Sequence, residues 1–427
     1  MKKFIFTAGL GFGDEGKGTI VDSLVHQHNI PLVVRYNGGS QCAHNVVTMD
    51  GRHHTFSQFG SGTFVPDTKT FLSRHVYINP SLMIKESDDL QELGVVNGDP
   101  LNLVYADQRA LLTTPYHIFL NRLRETSRGS VHHGSCGMGI GETRLLNIQR
   151  PDLSVMVEDL ASASHFERDL RMLQGWCIEE AEKMDFPGKN ECDWYVSLFI
   201  EPHELPYLKR SLNWYKRIHP ISGKETAELL SNGAVFEGAQ GVMLDEMFGF
   251  EPHVTWSDTT FNNAYIVLDE AGLDSNDVER IGITRTYATR HGPGPFPTFN
   301  ARMTRELPDS HNGTGKWQGS FRAGHLDIPM LRYAIEVLGG LDGLAVTHVD
   351  KLGPGGVNQV CTARGCAEDD YHYSREELLN KALMLNICSD EEVLPMISKL
   401  LGVPISITST GPRWTDKEYC GLTTTNT

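Results

Sequence analysis

The stretch Gly11-Phe12-Gly13-Asp14-Glu15-Gly16-Lys17-Gly18 matches G-x-x-x-x-G-K, a loop whose backbone N–H groups and lysine cradle phosphates. The next letter should be Ser or Thr, whose hydroxyl ligates Mg²⁺, but Gly18 stands there. Two acids, Asp14 and Glu15, lie inside this anion-binding loop. Phosphate repels such acids unless a cation bridges the charges or the acid works as a base. Asp14 can do both. A plain tight turn with solvated acids is the alternative. It is the weaker reading, because the loop follows an apolar run and opens a helical pattern.

Other clusters carry the same kind of promise. In "RYNGGSQCAHN" (35–45), Gly38 and Gly39 permit close approach to a ligand, and His44 ends a polar turn. Alone, His44 reads more readily as a satisfied structural histidine than as a catalytic one. Glycine- or threonine-rich loops recur at "HGSCGMGIGE" (133–142), "FEGAQGVMLD" (236–245), "HVTWSDTT" (253–260) and "TRHGPGPFPTF" (289–299). Singly these are turn chemistry; together, after candidate strands, they line one polar crevice. "THVD" (347–350) follows an apolar run, so Asp350 could accept two N–H groups of guanine or could cap a helix. "TSTG" (408–411) can offer N–H groups to the guanine oxygen. Joined to a phosphate loop, these residues favour a GTP site.

The elements needed to position these residues are readable as buried strands. "FIFTAGL", "PLVVRYN", "HVYIN", "LNLVYA", "AVFEGA", "RIGITRTYAT", "LAVTHVD" and "VPISITST" are apolar runs bounded by turn residues. The first two flank a helical segment, giving a βαβ unit with the glycine loop where ligands bind in parallel sheets. The predicted fold is α/β, a large mostly parallel sheet flanked by helices. Residues 150–230 are helical in pattern and are expected to form a subdomain inserted in a single domain spanning 1–427.

A formal net charge of −16 over 427 residues argues against a nucleic-acid or acidic-membrane binder, yet leaves room for a small anion in a local pocket. The eight cysteines show neither CxxC pairs nor regular spacing, so no zinc or disulfide framework is indicated. With no apolar run of membrane length, a cytoplasmic protein is expected.

In this order, the motifs resemble the adenylosuccinate synthetase family over nearly the whole chain. The family's G-x-G-D-E-G-K-G and F-E-G-A-Q-G are present unchanged. Y-x-T-R-x-G-x-G-P-F-P-T is intact at 287–298, and "RYNGGSQCAHN", "GSCGMGIG", "THVD" and "STGP" (409–412) match further motifs. The resemblance implies a homodimeric, Mg²⁺- and GTP-dependent ligase joining IMP and aspartate. It implies Asp14 as base and Mg²⁺ ligand, His44 as catalytic partner, and the Ala43 carbonyl as a second metal ligand. Gly13, Asp14, Glu15, Gly16, Lys17 and Gly18 would hold GTP phosphates beside Ala43, His44 and Asn45. His348, Asp350, Ser409, Thr410 and Gly411 would surround guanine. IMP would meet Asp14, Lys17, Gln41, His44, Cys136, Gln240, Thr255 and an arginine crossing the dimer interface, Arg150, with Arg144 competing.

The chain departs from the family at several of these positions. Gln41 replaces Asn, Asn45 and Cys136 replace Thr, and His348 replaces Lys. The arginine-rich donor stretch becomes "TGKWQGSFRAGHLD" (314–327), leaving Lys316 and Arg322 for the amine-donor pocket. Two alternatives follow: a relative that activates another purine nucleotide, such as dGMP, or uses another amine, and a non-catalytic nucleotide-binding regulator.

Overall fold

The computed structural model describes residues 4–94, 96–184, 197, 204–309, 315, 317–353, 357–365 and 372–420. Lys316 of the expected donor pocket lies outside them. A 10-stranded sheet runs in the order Lys417–Tyr419, Ile405–Ser409, Gly343–Thr347, Val278–Arg285, Phe4–Gly9, Ala234–Glu237, Leu32–Arg35, Lys69–Leu72, Val104–Asp107, His219–Ile221. Every neighbouring pair is parallel except Ile405–Ser409 with Lys417–Tyr419. The expected α/β class is what the chain forms.

Continuous apolar strands are required because both faces of such a sheet are covered. Alternation along Phe4–Gly9 sends its side chains to opposite faces. Phe4, Phe6 and Ala8 join the large core under the helices Asn262–Glu270 and Ile328–Val337. Ile5 turns to the other face, against Ile20, Val21 and Leu24 of the helix Lys17–His28.

Most expected strands form within a residue or two. "HVYIN" instead makes isolated bridges, Gly39 to Tyr77 and Ile78 to Leu112, because its backbone braces loops rather than a ladder. The helical span contains Ala163–Glu182 and Glu204–Tyr215, whose Phe166, Leu170, Trp176 and Trp214 share a buried cluster with Leu72 and Val104 of the sheet. The span is not helical throughout: His219–Ile221 is the sheet's last strand. Among the described residues, no helix is long and apolar enough to cross a membrane.

Six adjacent strands deliver the candidate loops to one edge of the sheet. From Ile405–Ser409 to Leu32–Arg35, each passes at its carboxyl end into a stretch containing candidate residues. Ligands bind in open parallel sheets at this edge, where the strand order reverses.

Candidate active site

The glycine loop is held by its own second acid. Glu15 Oε1 accepts from the Gly11 and Gly13 N–H groups at 3.1 and 2.8 Å, and Glu15 Oε2 takes the Lys17 ammonium at 2.6 Å. Glu15 and Lys17 are 3% and 4% exposed, so the Glu15 side chain braces the loop from beneath. The loop carbonyls are tied as well. Thr289 donates to Gly13, Arg285 Nε to Asp14, and Thr347 to Glu15. No side chain caps the following helix, leaving its N-terminal N–H groups for an anion.

Asp14 has φ 63° and Gly13 and Gly16 have φ 89° and 90°; such a backbone is costly for Asp and persists where the surroundings enforce it. The Asp14 carboxylate accepts no hydrogen bond from the described residues. Burial raises its pKa against the pull of Arg285 and Lys17, which suits a proton acceptor.

The replacement of the hydroxyl residue at position 18 has a steric cause. A Cβ on Gly18 would stand 2.9 Å from the Cβ of His44 and 3.0 Å from its carbonyl carbon. His44 opens the hairpin His44–Val47/His53–Phe56, which crosses over the start of the helix. Its Nδ1 lies 2.5 Å from Glu237 Oε1. Glu237 is fully buried and also accepts from the Ser61 backbone N–H at 2.9 Å and from the Ser61 hydroxyl. Burial would raise its pKa, but the Arg35 guanidinium, His44 and Ser61 together bring it down to about 2. An ionised carboxylate only accepts, so Nδ1 carries the hydrogen and Nε2 is left to face a ligand. Burial keeps the His44 pKa low against the pull of Glu237.

Next to His44 lie polar atoms with no partner. Ser40 Oγ, both amide atoms of Gln41 and Gln240 Oε1 are buried without hydrogen bonds. Buried polar groups are seldom left so, and several in one place mark where a ligand's polar groups belong. Gln240 has φ 56° and its Nε2 reaches Cys42 Sγ at 3.5 Å. Asn37 clasps Ala239 through bonds of 2.8 and 3.1 Å, and Ser257 Oγ accepts from Gly38 at 3.1 Å. These bonds join the loops carrying Gln41, Gln240 and Thr255. Gly39 abuts Ile140 of the 133–142 loop, whose Cys136 thiol is pushed by burial up to about 11.

Toward the other end, His348 (φ 58°) sits with Nδ1 3.0 Å from the Thr347 hydroxyl, and burial with the nearby Arg285 drives its pKa down to about 3. Asp350 is turned to Lys351 at 2.8 Å. Ser409 Oγ donates to the Gly411 carbonyl at 3.1 Å.

Two expected residues stand apart. Arg150 is 47% exposed and pairs with Asp152 at 2.7 Å, while Arg144 pairs with Glu246 at 3.2 Å. Arg322 is spent on the backbone: its Nη2 donates to the carbonyls of Gly292, at 2.5 Å, and Gly294, at 3.1 Å. Glu237, Ser61, Arg35 and Arg285 were not among the expected residues. Glu237 stands inside "FEGAQG" and Arg285 precedes "YATRHGPGPFPT", so proximity to motifs was the available signal. Ser61 has none.

The fold and crevice define an enzyme of the α/β class, with a glycine loop at a helix start beside a second, polar pocket. A family model described as adenylosuccinate synthetase matches residues 6–383. The adenylosuccinate synthetase of Thioalkalivibrio sulfidiphilus is 30% identical over 96% of this chain and 97% of its own. That of Caldanaerobacter subterraneus is 32% identical over 87% and 84%. Among solved structures, a fully ligated adenylosuccinate synthetase from Plasmodium falciparum superposes with TM-score 0.78, at 20% identity over 98% of this chain and 99% of its own. The succinoaminodeoxyadenylate synthetase of cyanophage S-2L, bound to dGMP and dATP as an energy donor, gives 0.64 at 15% identity over 98% and 95%. The chain belongs to the adenylosuccinate synthetase family, the GTP-dependent carbon–nitrogen ligases.

Proposed function

We propose that the crevice joins IMP to aspartate through a 6-phosphoryl intermediate, with Asp14 as the base. The observation that carries this reading is the Asp14 carboxylate, without a hydrogen bond and with its proton affinity raised, in a loop whose Gly13, Asp14 and Glu15 carbonyls are tied back. Asp14 would accept the N1 proton of the hypoxanthine ring as O6 attacks the γ-phosphorus of GTP and GDP departs. His44, protonated as the triphosphate arrives, would donate from Nε2 to the transferring phosphoryl group, with Glu237 balancing the charge. The donor's amine would then attack C6 and phosphate would leave.

The residues fit a hard cation. Mg²⁺ takes oxygen ligands from one or two carboxylates and from substrate phosphates, and the Asp14 carboxylate, buried and without a hydrogen bond, is such a donor. Asp14 and the Ala43 carbonyl would hold it, and it would neutralise charge on the transferring phosphate. Gln41, Gln240, Cys136 and Thr255 would take the monophosphate nucleotide, and Asp350 with Ser409–Gly411 the guanine. The outward Arg150 would serve a partner's site in a cytoplasmic homodimer.

The test follows phosphate release and the ultraviolet spectrum with GTP, IMP, Mg²⁺ and aspartate. Turnover that needs all four is expected, and Asp14→Asn should lower it by about 10²–10⁴-fold with an unchanged melting temperature. Turnover only with dGMP or another amine would overturn the substrate assignment, and full activity of Asp14→Asn would overturn the mechanism.

A further inference from the structure

Lys417 belongs to none of the sequence motifs, yet it is buried and every donor it has is used. It opens the edge strand Lys417–Tyr419 and is 8% exposed. Its ammonium donates to the Gly411 carbonyl at 2.8 Å, to the Arg413 carbonyl at 2.7 Å and to the Thr19 hydroxyl. Thr19 lies in the first turn of the helix behind the glycine loop, and its hydroxyl donates in turn to the Pro412 carbonyl at 2.7 Å. The opposing charge comes from Asp416 first and then from Asp22, one turn on from Thr19 and 2% exposed, whose carboxyl burial pushes up to about 7. Two further contacts run the same way. Ser23 Oγ donates to the Trp414 carbonyl at 3.2 Å, and the His26 ring stacks on Trp414 at 4.7 Å.

This bridge spans 398 positions of sequence to join two elements that, in the proposed site, would touch opposite ends of one ligand. The helix start would take the phosphates, and the Ser409–Gly411 loop would take the base. A nucleoside triphosphate gains binding energy from both only if their separation is set beforehand; otherwise ordering the loop consumes part of that energy. Sheet stability does not explain a buried ammonium, since an apolar residue at a strand's start would pack without the desolvation cost. An ammonium is suited to gathering several carbonyl oxygens from a loop that has no regular structure of its own.

We propose that Lys417 is a positioning residue for the nucleoside triphosphate, fixing the base-reading loop against the phosphate-binding helix without touching the ligand. This rests on the triphosphate site assigned above. The test compares Lys417→Met with the wild type, using GTP as substrate and inorganic tripolyphosphate as a competitor that needs only the helix end. The expected result is a rise of about ten-fold or more in KM for GTP. The tripolyphosphate inhibition constant, the KM for IMP and kcat at saturating GTP should stay within about two-fold. Lys417→Arg should recover part of the loss, and Thr19→Val, which cuts the bridge at the helix, should reproduce it. An unchanged KM for GTP overturns the proposal. So does a parallel loss of tripolyphosphate and IMP binding, which would mark a purely structural lysine. If Lys417→Met does not fold, Thr19→Val decides on the same readouts. Wild-type protein without GTP-dependent turnover would instead sink the functional reading.

Discussion

The two halves of the crevice are finished to different degrees. In the half built on the glycine loop, Glu15 fills the loop's underside, three residues tie its carbonyls, and Lys417 fastens the Ser409–Gly411 loop to the helix. In the half beside His44, Ser40, Gln41 and Gln240 keep buried polar atoms unpaired. The difference is one of preorganisation. A triphosphate binds largely to backbone N–H groups, which must be fixed in advance. A nucleotide base and sugar are read by side chains whose hydrogen bonds are completed by the ligand, and those side chains carry an unpaid desolvation cost until it arrives.

Four measurements test this difference between the two halves. The largest effect is expected at the seam, where Glu237 serves His44. Glu237→Gln removes the charge that faces Arg35 and turns one of the two acceptor oxygens that serve His44 and Ser61 into a donor. It should cost about 3–5 kcal/mol in a denaturant titration, and kcat should fall by roughly 10²-fold or more. Near-wild-type kcat in folded protein would show that Glu237 only supports the fold.

Gly18→Ser restores the hydroxyl of the ordinary phosphate loop but drives a Cβ against His44. Displacement of the loop should lower kcat by roughly 10–100-fold; a gain in activity would show that the hairpin yields and that packing does not dictate this glycine.

Gln41→Ala tests the unfinished half. It removes unsatisfied atoms, so stability should change by less than about 1 kcal/mol, while KM for IMP rises roughly ten-fold. A large loss of stability would mean that these atoms have partners in the free protein.

The last measurement lies away from the crevice and leaves turnover at neutral pH unchanged. His117 Nδ1 accepts the Thr114 N–H at 3.1 Å, and burial lowers its pKa to about 3. Protonation places a hydrogen where the helix cap needs an acceptor. The folded pKa lies below the ordinary histidine value, so the unfolded chain binds the extra proton between about pH 6.5 and 3. Stability should therefore fall on acidification through that window, by at most about 1.4 kcal/mol per pH unit from this group. His117→Gln should flatten the slope of urea midpoint against pH, and an unaltered slope would remove His117 as the cause.

The sequence and the folded chain agree where chemistry is local. Gly13, Asp14 and Gly16 announce a strand-to-helix turn by their types and spacing, and apolar runs such as "LAV" and "PISI" announce buried strands, because these depend on neighbours within a few residues. Other features depend on partners far along the chain. Glu15 stands in the loop expected to hold phosphates, and only the fold shows that its carboxylate, buried beneath Gly11 and Gly13, braces that loop. Arg322 is expected in the donor pocket from its place in the motif, and only the fold shows that its Nη2 donates to the Gly292 and Gly294 carbonyls while its buried Nε has no partner among the described residues.

The chain's own letters thus determined the α/β class, the phosphate loop and the family, since periodicity and motif order survive without knowledge of contacts. The tertiary structure decided why position 18 is glycine, which carboxylate steers His44, and how Lys417 meets Thr19 across the sheet. Those outcomes rest on steric overlap, charge pairing and desolvation between residues that only the fold brings within a few ångströms.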